Sequence, residues 1–378
     1  MRRRTEGTGA RGDAPPARRE PRPAGCVAAL RLLYVVCLPA AVWLGGCQSA
    51  PKAIFPEVSP PLVWPPPPDV PRIRYVGELR GEESLGVRAR GWEAVRAAVG
   101  GSRPPGAFSR PCAVAVAGER VFVADTGLGV VHLLDLEGRR YLVLRGAPGD
   151  PLRVPIDVAI VGADRLAVVD RGRGALDIFD TAGNWLMTRR WPELAAPVAA
   201  AWDVSSGLLW VADGAAHACL GCRDMEQLVQ RIGGRGSGPG QLNFPTGIAC
   251  HPAVGLVVAD AMNFRVQVFD GSGAPLAAFG QKGDAAGDFS LPRDVAVDSE
   301  GHIYVLDSQF ENVQIFDGAG RLLLAFGQGG SGPGEFSLPA GIAIDKQDRI
   351  WVADSYNRRV QVFQYLREAG GSGGSMRG

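Results

Sequence analysis

Histidine is scarce in this chain, and a large excess of charge of either sign is missing. His132, His217, His251 and His302 are the only four histidines among 378 residues. A catalytic zinc centre needs about three converging protein ligands and one open position. The repeat register derived below sets these four at different radii and on opposite faces, which argues against such a centre. No nucleophile stands in a pattern with a base, and no phosphate loop occurs. The apolar run Leu32–Gly46 is too short and too abruptly ended for a membrane-spanning helix. Lys and Arg number 40 against 39 Asp and Glu. Taking away the eight Arg and three acids before Cys47 leaves 32 basic against 36 acidic residues. Nucleic-acid binding wants a basic domain, and this balance offers none.

What is plentiful is Gly and Pro, 52 and 29 residues, the turn formers of an all-β chain. The organising stretch is Leu338–Gln364. It holds three alternating apolar runs, Gly341–Ile344, Ile350–Ala353 and Val360–Phe363, separated by D-K-Q-D-R and D-S-Y-N-R-R. Period-two alternation predicts half-buried strands, and the polar clusters predict hairpin turns. Phe244–Asp270 and Leu291–Asp317 repeat the pattern, and weaker copies run 108–135, 152–180 and 194–223. One aspartate closes each second run: Asp125, Asp170, Asp213, Asp260, Asp307 and Asp354, spaced 45, 43, 47, 47 and 47 residues apart. About four short strands per unit, at a period of roughly 40–50, predict propeller blades.

The motif G-x-G-P-G-x-F/L-x-x-P-x-G-I-A stands at Gly236–Ala249 and Gly330–Ala343. V-A-D-x-x-N-x-R-V-Q-V-F-D follows at Val258–Asp270. Together they resemble the NHL repeat family over about residues 73 to 365. The resemblance implies an all-β, six-bladed propeller of four-stranded antiparallel blades beginning near 106, 150, 192, 242, 289 and 336. It implies function only loosely, because propellers host many unrelated activities. Peptide-amidating lyases, relatives of this fold, are zinc enzymes, but their histidine set has no match here. The acidic metal sites of gluconolactonase-like propellers are not evident either, and no cofactor is implied.

Residues 1–46 read as a signal peptide with a long basic start: a charged region, a short apolar core and small residues at the cut. Leu44-Gly45-Gly46-Cys47 resembles a bacterial lipobox, which implies lipidation of Cys47 and anchoring to a cell-envelope membrane, outer membrane or periplasm-facing. Residues 47–71 read as a Pro-rich tether that cannot join a sheet, because Pro lacks the donor. Repeats four and five end in fourth runs, Pro275–Phe279 and Leu322–Phe326, and repeat six has none. The missing strand is expected at 72–80, closing the ring within a domain spanning 72–366. A short helix at about 89–99, packed by Trp92, is expected next, and 367–378 reads as a flexible Gly/Ser tail.

The candidate chemistry has competing readings. The six aspartates suit either a cation ring or braces that accept N–H groups of the following turn, and the brace reading fits better. Asn263 and Asn357 suit the same turns. Cys219 and Cys222, in C-x-x-C, read first as buried small apolar residues and otherwise as a candidate disulfide or redox pair in an exported protein. A regular strand would set them about 10 Å apart, too far for a bond unless Gly221 bends it. Cys250 belongs to the core, Cys112 faces the top surface, and Cys26 and Cys37 leave with the signal.

The remaining candidates are loop residues around the channel mouth, on the top face. Turns between second and third strands contribute Arg171, Arg173, His217, Met262, Phe264, Gln309, Phe310, Tyr356 and Arg358. Entries to the blades contribute Arg110, Cys112, Ile156, Thr246, Arg293 and Ala340. Arg and aromatics favour binding hot spots, although Arg265 and Arg358 also suit turn bracing. The sequence therefore predicts a protein-binding or scaffold propeller of the bacterial cell envelope with an envelope-protein partner. A metal-dependent lyase or lactonase and a carbohydrate or cell-wall binder using Phe264, Phe310 and Tyr356 are the alternatives.

Overall fold

The computed structural model describes residues 53–86 and 106–367. The signal peptide, Cys47, the expected helix at 89–99 and the tail from 368 onward lie outside these residues. Six antiparallel sheets follow one another along the chain. Their first strands are Pro111–Ala117, Pro155–Val161, Pro197–Asp203, Pro245–His251, Pro292–Val297 and Gly341–Ile344. These inner strands carry a column of alanines, Ala115, Ala159, Ala201, Ala249, Ala296 and Ala343. Small residues suit that place because neighbouring inner strands crowd together. A Cβ added at Gly341 would lie 2.5 Å from the carbonyl oxygen of Cys112.

No single core exists. Apolar side chains form six clusters, one between each pair of neighbouring blades. Alternation explains this, since each sheet turns one set of side chains to the preceding blade and the other to the following blade. Such a ring is stable only when its last contact closes.

Closure comes from the other end of the domain. Ile73–Leu79 pairs antiparallel with Arg359–Tyr365, setting Tyr75 opposite Phe363 and Leu79 opposite Val360. The expected closing strand is thus present. Arg359 reinforces the seam through Glu78 at 2.9 Å. The aromatic rings of Tyr75 and Phe363 meet edge-on at 5.6 Å.

The Pro-rich segment departs from the expected free tether. Val63–Trp64 forms a fifth strand on blade six. The missing proline donor does not prevent this, because the segment pairs through its carbonyls. Arg72 N–H donates to Trp64 O at 2.7 Å and Tyr75 N–H to Leu62 O at 2.9 Å. Trp64 packs 5.8 Å from both Phe326 and Phe363, bridging blades five and six. Phe55 lies against Gly77, where a Cβ would approach its ring to 2.7 Å, and meets Trp351 edge-on at 6.2 Å. At least residues 54–64 therefore belong to the domain.

Trp64→Ala should lower stability by on the order of 2 kcal/mol, less than a fully buried aromatic, because Trp64 keeps part of its surface in water. Deleting 72–80 should abolish the fold, because both flanks of the seam lose their partner. Thermal unfolding with size-exclusion chromatography separates the two; a monodisperse 72–80 deletion with native melting would refute closure.

Candidate functional site

The six register aspartates each join two pieces of chain. Asp125 accepts N–H groups of Gly127 and Leu128 in its own turn and of Ser109 and Arg110 in the strand entering blade one. Asp170, Asp213, Asp260, Asp307 and Asp354 likewise accept the incoming N–H of Arg153, Ala196, Asn243, Ser290 and Ser337. All six are fully buried. Burial works against ionisation of Asp125, but the bond from His132 and the backbone donors outweigh it and hold the carboxyl below its ordinary range.

In blades four and six the brace is extended by Asn, Arg and Gln. Asn263 and Arg265 reach Asp260 at 2.8 and 2.9 Å, and Asn357 and Arg359 reach Asp354 at 2.9 and 2.7 Å. The bracing arginine of the sixth blade is therefore Arg359, and Arg358 points outward, exposed. Gln267, Gln314 and Gln361, one per third strand, hold the N–H of Gly240, Gly287 and Gly334. Blade one puts His132 in that slot, bonded to Tyr141 at 2.7 Å. Blade two puts Asp177 there, paired with Arg173. The Arg173 side chain is only 2 % exposed and also holds Asp170 and Asp150. Expected at the surface, it is a buried brace, because three carboxylates surround it.

Four of the other predicted face residues, Arg110, Arg171, Gln309 and Arg358, are exposed, as are Tyr356 at 63 % and Met262 at 46 %. Phe264 and Phe310 are half-buried, with Lys282 placed 5.3 Å over the Phe264 ring. The sequence reading missed a conformational column. The fourth residue after each register aspartate has left-handed backbone: Gly129, Gly174, His217, Phe264, Glu311 and Arg358, with φ of 64, 57, 50, 54, 54 and 56°. Two blade entries share it, Phe244 at 58° and Leu338 at 44°. Two column residues hold those entries in place. His217 Nδ1 accepts the N–H of Phe244 at 3.1 Å, and Glu311 accepts that of Leu338 at 2.9 Å. The signal in the sequence was glycine at that column in blades one and two.

A second missed group lies inside the channel. Asp157 and Asp294 occupy the same first-strand slot in opposite blades, and each accepts an N–H of the next blade's inner strand, Ala200 at 2.6 Å and Ile342 at 2.9 Å. Gly247 makes room for Asp294, since a Cβ there would sit 2.4 Å from its carboxylate. Burial pushes the Asp294 carboxyl up to about 7 despite its backbone bonds and nearby Arg293. Burial and then the charge of Asp294 push Asp157 well up. Arg293, expected at the channel mouth, is half-buried, and its charge favours ionisation of both carboxyls.

The cysteines are not a pair. Cys219 packs between blades three and four, whereas Cys222 packs between blades two and three, because residues three apart in a strand face opposite ways. Both are free and buried. Burial pushes the Cys219 thiol up and the Cys222 thiol up to about 11, away from the thiolate a redox pair needs. Cys112 is also buried, its thiol 3.3 Å from Pro155 O, rather than on the top surface. Among the described residues no three of His, Cys, Asp and Glu converge as metal ligands.

The NHL repeat family model matches residues 289–316 and 336–363, blades five and six. No curated protein matches the chain in sequence. Among solved structures, a protein of unknown function from Bacteroides thetaiotaomicron is 15 % identical, with a TM-score of 0.54 over 69 % of this chain and 71 % of that one. An auxiliary nutrient binding protein from the same organism is also 15 % identical, with a TM-score of 0.54 over 69 % and 70 %. Virginiamycin B lyase from Staphylococcus aureus is 10 % identical, with a TM-score of 0.51 over 68 % and 96 %. At these identities the likeness is one of fold.

Folded protein holds the Asp294 proton more tightly than unfolded protein. That contribution to stability is complete below about pH 4 and is lost as pH rises through about 7. Asp294→Asn should therefore flatten the decline of Tm across this window, read as wild type minus variant by calorimetry; parallel curves would contradict the shift. Alkylation of folded protein at pH 8 should leave Cys112, Cys219 and Cys222 unlabelled and label all three in denaturant. Mass spectrometry showing rapid native labelling of Cys222 would refute its burial.

Proposed function

From the premise that this chain is an NHL-repeat six-bladed propeller, we propose that it is a non-enzymatic binding module of the bacterial cell envelope. It is exported, anchored through lipid on Cys47, and docks an envelope protein on its top face. The observation that carries the reading is the set of left-handed residues around the mouth. Outside glycine, that backbone costs roughly 1–2 kcal/mol per residue. Six of the ten non-glycine residues with positive φ among the described residues stand on this one face: His217, Phe244, Phe264, Glu311, Leu338 and Arg358. Glycine would fold more readily at each, as it does at Gly129 and Gly174. Phe244 and Leu338 are each 40 % exposed. The exposed part of that apolar surface adds nothing to the core, so the strain supports a role in recognition.

The likeness to a lyase and to a nutrient binding protein supplies a fold shared by both activities, not a choice between them. The four histidines bear on the choice. His132 is bonded to Asp125 and Tyr141, His217 to Phe244, His251 to Ala253 and His302 to Asp298. Each is engaged locally and none shares a partner with another.

Leu338→Gly and Arg358→Gly should raise stability by about 0.5–1 kcal/mol each while reducing capture of envelope proteins in cross-linking pull-downs. Fractionation should place wild type with the membranes and Cys47→Ala in the soluble exported fraction. Unchanged capture by both glycine variants would defeat the reading.

A further inference from the structure

The mouth is divided by charge. The turns of blades six, one and two and the entries to blades one and two comprise residues 355–358, 108–110, 126–129, 152–154 and 171–174. Their charged side chains are all arginines: Arg110, Arg153, Arg171, Arg173 and Arg358. Arg173 is consumed by three carboxylates. The guanidinium groups of the other four make no hydrogen bond or ion pair among the described residues, and all four residues are exposed. The opposite arc comprises residues 194–196, 214–217, 242–244, 261–264, 289–291, 308–311 and 337–339. It carries His217 and Glu311 as its titratable groups and presents Phe244, Met262 and Leu338.

Resting on the binding reading above, we infer that the top face docks an acidic polypeptide segment, with carboxylates over blades six, one and two and apolar side chains over blades three to five. Four unpaired guanidinium groups within one arc present forks that match carboxylates bidentately. Leu128, Val154 and Tyr356 stand exposed among them, and apolar residues between arginines suit a protein interface. A phosphodiester chain or an anionic membrane fits less well. Either would extend negative charge over the opposite arc, whose turns and entries hold no arginine or lysine of their own, where Lys282 is engaged over the Phe264 ring and Arg231 on Ala216 O, and where Glu311 repels it. The four guanidinium groups would also steer an acidic partner before contact, so association depends on salt.

The test uses the folded exported chain and a dye-labelled peptide bearing about five Glu beside Trp and Leu, with a Gln-for-Glu peptide as reference. Wild type should bind the acidic peptide at least tenfold more tightly than the reference, and the preference should shrink from about 0.05 M to about 0.5 M NaCl. The variant Arg110→Gln, Arg153→Gln, Arg171→Gln, Arg358→Gln should lose that preference. A charge-matched control, Arg74→Gln, Arg165→Gln, Arg223→Gln, Lys346→Gln, removes exposed cations away from the top face and should keep it. Both variants are first checked for native melting. Equal loss in the control, or tighter binding to phosphatidylglycerol vesicles or to a single-stranded oligonucleotide than to the peptide, overturns the proposal. Envelope capture runs in parallel. Capture that survives the four top-face changes but fails in Leu338→Gly overturns the acidic partner and leaves the binding reading standing. Capture indifferent to both sets overturns both.

Discussion

The ring depends on a buried carboxylate that ties two strangers together. At each register aspartate, one side chain holds the turn that follows its own strand and the segment arriving from the previous blade. A buried charge is costly unless donors surround it. Here the donors include backbone N–H groups that would themselves be stranded at the end of a strand, joined at Asp260 and Asp354 by Asn, Arg and Gln side chains. The two deficits cancel only when both pieces of chain are in place. The aspartate therefore sets the angle at which each blade enters, and through it the shape of the mouth.

Closure obeys a related logic. Six interfaces share the apolar burden, so no blade is stable without both neighbours. The seam between the two ends of the chain has no covalent link and carries the greatest reinforcement. It has the paired strand, the Arg359–Glu78 bridge at 2.9 Å and the aromatic packing of Trp64 and Phe55. Sequence from outside the repeats is recruited to this place, and the short turn ending at Leu85 carries it on to blade one, where Arg139 donates to Leu85 O at 2.6 Å.

The period, the register aspartates and the closing strand were legible because each recurs, or is conspicuously missing, at a fixed spacing. Asp157 and Asp294 were not, because each is a single acid inside an apolar strand, and only alignment of inner strands puts them in one slot. Val63–Trp64 was hidden by the prolines around it: proline forbids donation, and this strand accepts. Arg173 looked like a surface arginine because its partners Asp150, Asp170 and Asp177 come from different turns and strands. The Cys219–Cys222 pair failed on strand parity, which outweighs any bend at Gly221. Lipidation and export rest on residues outside those described, and remain part of the proposal.

The wear of the repeats carries information of its own. Blades four and six keep the full Asp, Asn, Arg and Gln brace, and blades one and two replace it with His132 and with Arg173 beside Asp177. Every version satisfies the same buried carboxylate, so the scaffold is indifferent to which is used. The neighbouring left-handed column is different, since glycine serves it best and only two blades use glycine. Two of its side chains have a folding role, since His217 and Glu311 each hold a neighbouring entry. Phe264 and Arg358 make no such bond, and there the proposed binding role is the reason offered for a side chain that the backbone resists.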